Sequence, residues 1–88
     1  MNTYIFTQIA YRRDIEGYYV MASCVNNGVF ANKDKAIEKA ENQLNYFHSK
    51  YGGIVTEHSK FDREVFNQTV EMGNVKATFI VTENEVIE

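Results

Sequence analysis

Eighty-eight residues, 44% of them hydrophobic and 14% aromatic, are enough for one folded core and too few for two. Nine basic residues against twelve acidic ones leave a net charge of −3, with no basic run longer than Arg12-Arg13. That balance argues against a reader of double-stranded DNA, which needs several phosphate contacts from one basic face, and is too small to mimic DNA.

No stretch is long and apolar enough to cross a bilayer. The opening residues MNTYIFTQIAYRR lack the charge-then-apolar order and small-residue cleavage site of a secretory signal. Cys24 is the one cysteine, so no internal disulfide can form. Together these predict a cytoplasmic protein without a membrane partner. Asn, Lys, Ile, Tyr and Phe are abundant and proline is absent, the usage that AT-rich codons favour. Such a chain suits a low-GC bacterium, its phage or another mobile element.

Residues 3–11 (TYIFTQIAY) and 18–25 (YYVMASCV) are rich in β-branched and aromatic side chains and predict two strands. Between them RRDIEG supplies Asp14 and Gly17, so the pair reads as an antiparallel hairpin over residues 3–25. Asn26-Asn27-Gly28 tolerates positive φ and predicts a turn.

Residues 32–51 predict one amphipathic helix. Ile37, Ala40, Leu44, Phe47 and Tyr51 recur at steps of three and four, a single stripe of a 3.6-residue period. Asn32 is a good N-cap, worth about 1 kcal/mol. Ala31 and Ala36 occupy the places of a weak hydrophobic staple. Gly52 and Gly53 supply the backbone freedom that closes a helix, and Lys50 suits the dipole of the last turn.

IVTEH after Gly53 is either a short strand or an extended connection. Residues 63–72 and 75–82 predict a second hairpin (63–82) around a type II′ turn at Gly73-Asn74. The acidic tail 83–88 is expected to fray, with Val86 and Ile87 able to dock. The fold expected is a single α+β domain spanning residues 1–88. Its order is β-β-α-β-β, with one long helix on one face of a four- or five-stranded antiparallel sheet.

A helix about 10 Å across cannot cover more than one face of a sheet about 19 Å wide. Alternation assigns Val20, Ala22, Cys24, Val75, Ala77, Phe79 and Val81 to the helix side, with Phe66, Val70 and Met72. It sends Tyr19, Met21, Val25, Val65 and Ile80 to the other side, together with either Ile5 and Ile9 or Tyr4 and Phe6. That second face is apolar enough to suggest an interface, with Met21, Val25, Val65 and Ile80 as its contact residues. The alternative is that the segment after Gly53 and the tail wrap round and cover it, or that the assumed register is wrong.

The tip of the first hairpin carries Tyr11, Arg12, Arg13, Tyr18 and Tyr19. Tyr and Arg combine large contact area with a polar or planar charged end and often anchor interfaces. The same pairing can stack on single-stranded nucleic acid or clamp a nucleotide phosphate. Tyr is also ordinary in strands, and Arg in turns.

The catalytic inventory is thin. His48 and His58, with Glu57, Asp62 or Glu64, match no zinc-site spacing. Ser23, Ser49 and Ser59 lack a nucleophile-elbow context. Gly52-Gly53 stops a helix instead of preceding one, so it cannot cradle phosphate. Cys24, in line with Val20 and Ala22, reads as a buried thiol. No catalytic residue, metal site or cofactor is assigned.

The reading that results is a small non-catalytic protein-binding module, homodimeric through its sheet, in the manner of a phage-encoded inhibitor of a larger host protein. A small-molecule or nucleotide binder with its pocket between subunits is the alternative, and a single-stranded nucleic-acid binder is third. The helix stripe makes a test of its own. Leu44→Ala is expected to cost about 2–5 kcal/mol in urea unfolding as a core cavity, and Glu41→Ala less than about 0.5 kcal/mol as a surface change. Equal losses would mean that the stripe is misassigned.

Overall fold

The structure is a computed structural model that describes residues 2–86. Strands β1 (Asn2–Arg13) and β2 (Tyr19–Phe30) lead into helix α1 (Lys33–Tyr51), followed by β3 (Ile54–Glu57), β4 (Glu64–Met72) and β5 (Val75–Glu85). The strands form one five-stranded sheet in the order β2-β1-β5-β4-β3, with every pairing antiparallel. This is the α+β architecture expected, one helix on one face of an antiparallel sheet. The segment after Gly53 supplies the fifth strand, four residues long.

The helix forms where its punctuation places it. The Asn32 side chain accepts from the Lys35 backbone N–H at 3.1 Å, satisfying one of the orphan donors of the first turn. At the other end the Gly52 N–H donates to the His48 carbonyl at 2.8 Å, and Gly52 has φ 74°. Ala36, Ala40 and Leu44 are buried, while Ile37 and Phe47 pack half-buried at the margin. Tyr51 ends the stripe 52% exposed, its ring 4.9 Å from that of Phe47.

The helix packs over β5 and its two neighbours, β1 and β4. Phe6, Phe66, Val70, Ala77, Phe79 and Val81 rise from those three strands to meet it and are all buried. Phe79 is central, with its ring centroid 6.4 Å from that of Phe6 and 6.1 Å from that of Phe47. Of the two alternations left open for β1, Phe6 faces the helix, with Tyr4 half-buried beside it, and Ile5 and Ile9 face away.

Several expectations are corrected. Asn26-Asn27-Gly28 is not a turn: β2 continues through it to Phe30, and the first hairpin spans residues 2–30. The register of β2 against β1 skips Ala22 and Asn27, so each is the extra residue of a β-bulge. The second bulge uses the predicted turn chemistry inside a strand. Gly28 takes φ 151° and its N–H donates to the Asn26 side chain at 3.0 Å.

One extra residue reverses the facing of everything after it. The bulge at Ala22 therefore moves Cys24 to the open face, paired with Ile9, and Val25 to the helix side, paired with Gln8. Val20 and Ala22, expected in the core, are exposed because the helix meets β2 at its Phe30 end, away from them, and Cys24 is exposed on the open face. Val65 is also a bulge residue, between Glu64 opposite Thr82 and Phe66 opposite Val81, and it packs against the core instead of the open face.

The predicted hairpin turn at Gly73-Asn74 is present. Met72 pairs with Val75, and Gly73 has φ 56°. The tail is structured further than expected, since β5 runs to Glu85 and pairs there with Asn2. Val86 is 40% exposed, and Ile87 lies outside the described residues. No helix among the described residues is long and apolar enough to cross a membrane.

Gly53 carries the tightest junction. With φ 105° it passes so close to β4 that an added Cβ would sit 2.7 Å from the Glu71 carbonyl oxygen. Gly53→Ala is expected to cost more than about 1 kcal/mol in urea unfolding, because both the backbone angle and the contact resist a side chain. An unchanged midpoint would show that the α1–β3 connection can be rebuilt freely.

Candidate functional site

The first hairpin closes on Asp14. Its carboxylate accepts from the backbone N–H groups of Glu16 and Tyr18, both at 2.9 Å, and its carbonyl accepts from Gly17 at 3.0 Å. This local network holds the loop with Gly17 at φ 89°. Arg13 and Tyr19 leave it as directly opposed residues of β1 and β2. The Arg13 N–H donates to the Asn74 carbonyl at 2.8 Å, so the tips of the two hairpins are tied together.

Cross-strand register then assembles a cluster on the face away from the helix. Tyr11 lies between Met21 on β2 and Lys76 on β5, and Lys76 lies opposite Glu71 on β4. The Tyr19 hydroxyl donates to Glu71 Oε1 at 2.7 Å, and Arg13 Nη2 reaches the same oxygen at 3.4 Å. The Arg13 guanidinium sits 4.6 Å from the Tyr19 ring centroid. Lys76 Nζ lies 4.7 Å from the Tyr11 ring and 4.6 Å from that of Tyr19.

Two tyrosines, two cations and one carboxylate thus form a continuous surface across four strands. The Tyr19 phenol, and to a lesser degree Glu71, hold the Arg13 guanidinium above its ordinary pKa. Both Arg13 and Glu71 are exposed, at 40% and 46%, so their ion pair is screened and adds more to orientation than to stability.

The five hairpin residues singled out in the sequence therefore divide. Tyr11, Arg13 and Tyr19 come together. Arg12 pairs with Val20 and Val75 on the helix side, and Tyr18 stands in the loop, 68% exposed. Lys76 and Glu71 were missed. A two-residue turn at Gly73-Asn74 does imply that they face each other, but only the pairing of β1 with β5 brings them to Tyr11.

The remainder of the open face is mixed. Ile5, Ile9 and Ile80 on the central strands are half-buried, and Met21, Cys24 and Val29 on β2 are exposed. Thr69 and Thr78, opposite each other at the centre, are each only 7% exposed. His58 reaches over β4 to hydrogen-bond the Thr69 hydroxyl at 2.9 Å. The expected apolar patch is thus reduced: Met21 and Ile80 belong to it, whereas Val25 and Val65 do not.

His48 is engaged locally, its Nε2 donating to the Gly53 carbonyl at 3.2 Å. Among the described residues, no three His, Cys, Asp or Glu side chains are gathered to hold a metal ion. Three surface hollows lie away from the tyrosine cluster: near Arg63 and Glu83, beside Phe30 and Lys39, and around His58.

The cluster makes a measurable prediction. In a double-mutant cycle by urea unfolding, Tyr19→Phe and Glu71→Ala are expected to show a coupling of about 0.5–1.5 kcal/mol. Additive losses would mean that the hydrogen bond contributes nothing in solution. Compared with protein-family models, with curated proteins and with solved structures, the chain matches none.

Proposed function

We propose that this protein is a non-catalytic binding module that grips another protein with the tyrosine-bearing end of its open sheet face. The observation that carries this reading is the single surface formed by Tyr11, Arg13, Tyr19, Glu71 and Lys76. Tyr and Arg dominate interface energetics because they cover area with little loss of freedom and end in groups that hydrogen-bond. Here Arg13 and Tyr19 are already held against each other and Glu71, which lowers the ordering cost of binding.

The partner that fits presents an acidic group to Arg13 and Lys76, with apolar surface to lie along Met21 and Ile9. Arg12, Arg13 and Lys76 lie at one end of the sheet, and Glu64, Glu83 and Glu85 at the other. Charge of this arrangement orients an approaching partner more than it tightens the complex. The setting that best suits an 88-residue chain of this composition is a phage or mobile-element product that inhibits a larger host protein.

The test is quantitative binding to a protein captured with the tagged chain from its own cells. Tyr19→Ala and Arg13→Ala are each expected to weaken that binding at least tenfold, about 1.4 kcal/mol, while Arg63→Ala at the far end leaves it unchanged. Full affinity in both cluster variants would remove the proposal. A rise in melting temperature with added nucleotides would instead favour a ligand binder, and binding to single-stranded RNA that collapses with salt would favour a nucleic-acid binder.

A further inference from the structure

The outer edge of β2 is the most unusual feature left by this fold. The sheet order places β2 at one border and β3 at the other. β3 is blunted in the ordinary way, being four residues long and ending in Glu57. β2 is twelve residues long, and its sequence YVMASCVNNGVF contains no Lys, Arg, Asp, Glu or Pro. Those are the residues that normally deter a second strand from pairing with an edge. Its only guards are the bulges at Ala22 and Asn27, which leave residues 23–26 regular between them.

Apolar side chains flank that edge on both faces. Val20 and Val25 on the helix side are 46% and 49% exposed, and Met21 and Val29 on the open side 59% and 61%.

We infer that β2 is a self-association edge, pairing antiparallel with β2 of a second copy to make one continuous ten-stranded sheet. Self-complementarity is what selects a second copy as the occupant. A two-fold axis near the middle of the strand sets one half of it against the other half, and neither half carries a charge to oppose. The helix flank beside Phe30, with Lys35, Glu38 and Lys39, is then set across from the uncharged Tyr19 end of the second copy's strand.

The register is constrained as well. Directly opposed residues in an antiparallel pair share a face, so the axis passes through a residue and not between two. Within the regular stretch that residue is Cys24 or Val25. Both helices then lie on one side, and the two tyrosine clusters lie on the other, on one shared face. This inference does not depend on what those clusters bind.

The test combines sedimentation equilibrium with amide hydrogen exchange on the unmodified chain, from low concentration up to about 100 µM. The expected result is a species of twice the chain mass at high concentration, with exchange slowed in the peptide covering β2 and nowhere else. Edge pairing gives new hydrogen bonds to outward amides of β2, which face-to-face packing of sheets does not. Val25→Lys is expected to weaken the dimer at least tenfold by setting like charges together. If that variant loses its circular dichroism spectrum, the exchange data on the wild-type chain decide. A monomer throughout, or a dimer whose β2 amides exchange at an unchanged rate, would overturn the inference. So would slowing of those amides only by a different protein, which would assign the edge to β-augmentation by that partner.

Discussion

The pairing of β1 with β5 is the contact on which the rest of the molecule depends. It joins the first and last strands of the chain, with Asn2 opposite Glu85 and Arg12 opposite Val75. Without it the first hairpin would be a separate ribbon, marginal alone in water, cut off from the three strands β5, β4 and β3. With it, Phe6 comes beside Val81, the ring of Phe79 completes the floor, and Ala36, Ala40 and Leu44 have a surface to bury. The same pairing sets Tyr11 next to Lys76 on the other face. Core and candidate site are therefore two sides of one long-range ladder. Such a ladder is costly to close, because the entropy of a long loop must be met before its contacts form.

Irregularities in the strands decide how the two faces are used. Bulges at Ala22, Asn27 and Val65 each insert one residue and exchange inward for outward beyond it. Val65 is thereby turned to the core margin, and Cys24 is turned out. The helix is too narrow to reach both borders of five strands and meets β2 around Phe30, so most of β2 has no covering layer and its outer edge no second neighbour. Exposure of Cys24 also changes its chemistry, since a thiol read from alternation as buried is open to solvent.

Surface and edge have different physical characters, and their roles divide accordingly. The tyrosine cluster is polar and directional, with a carboxylate shared by a phenol and a guanidinium. Chemistry of that kind discriminates between partners. The β2 edge offers backbone groups and small apolar side chains without charge, which suit repetition of the same strand. Pairing at the edge would double the number of tyrosine clusters on one face and raise the avidity for any partner that can reach both.

Elements governed by neighbours in sequence were legible from the chain alone. Asn32 and Gly52 bound the helix, its stripe at steps of three and four chose the buried side, and Gly73-Asn74 turned the second hairpin. Each is a local preference that the tertiary setting left in place, whereas the turn read at Asn26-Asn27-Gly28 was absorbed into β2 as a bulge. The α+β class followed, because one amphipathic helix and alternating strands leave few ways to bury both. The facing of Cys24, Val25 and Val65 did not follow, since a bulge costs little locally and is set by the partner strand. Nor did the fifth strand, the reach of β5 to Glu85, or the union of Tyr11 and Tyr19 with Lys76 and Glu71. Those rest on which strands become neighbours, and that is decided by packing between residues more than sixty positions apart.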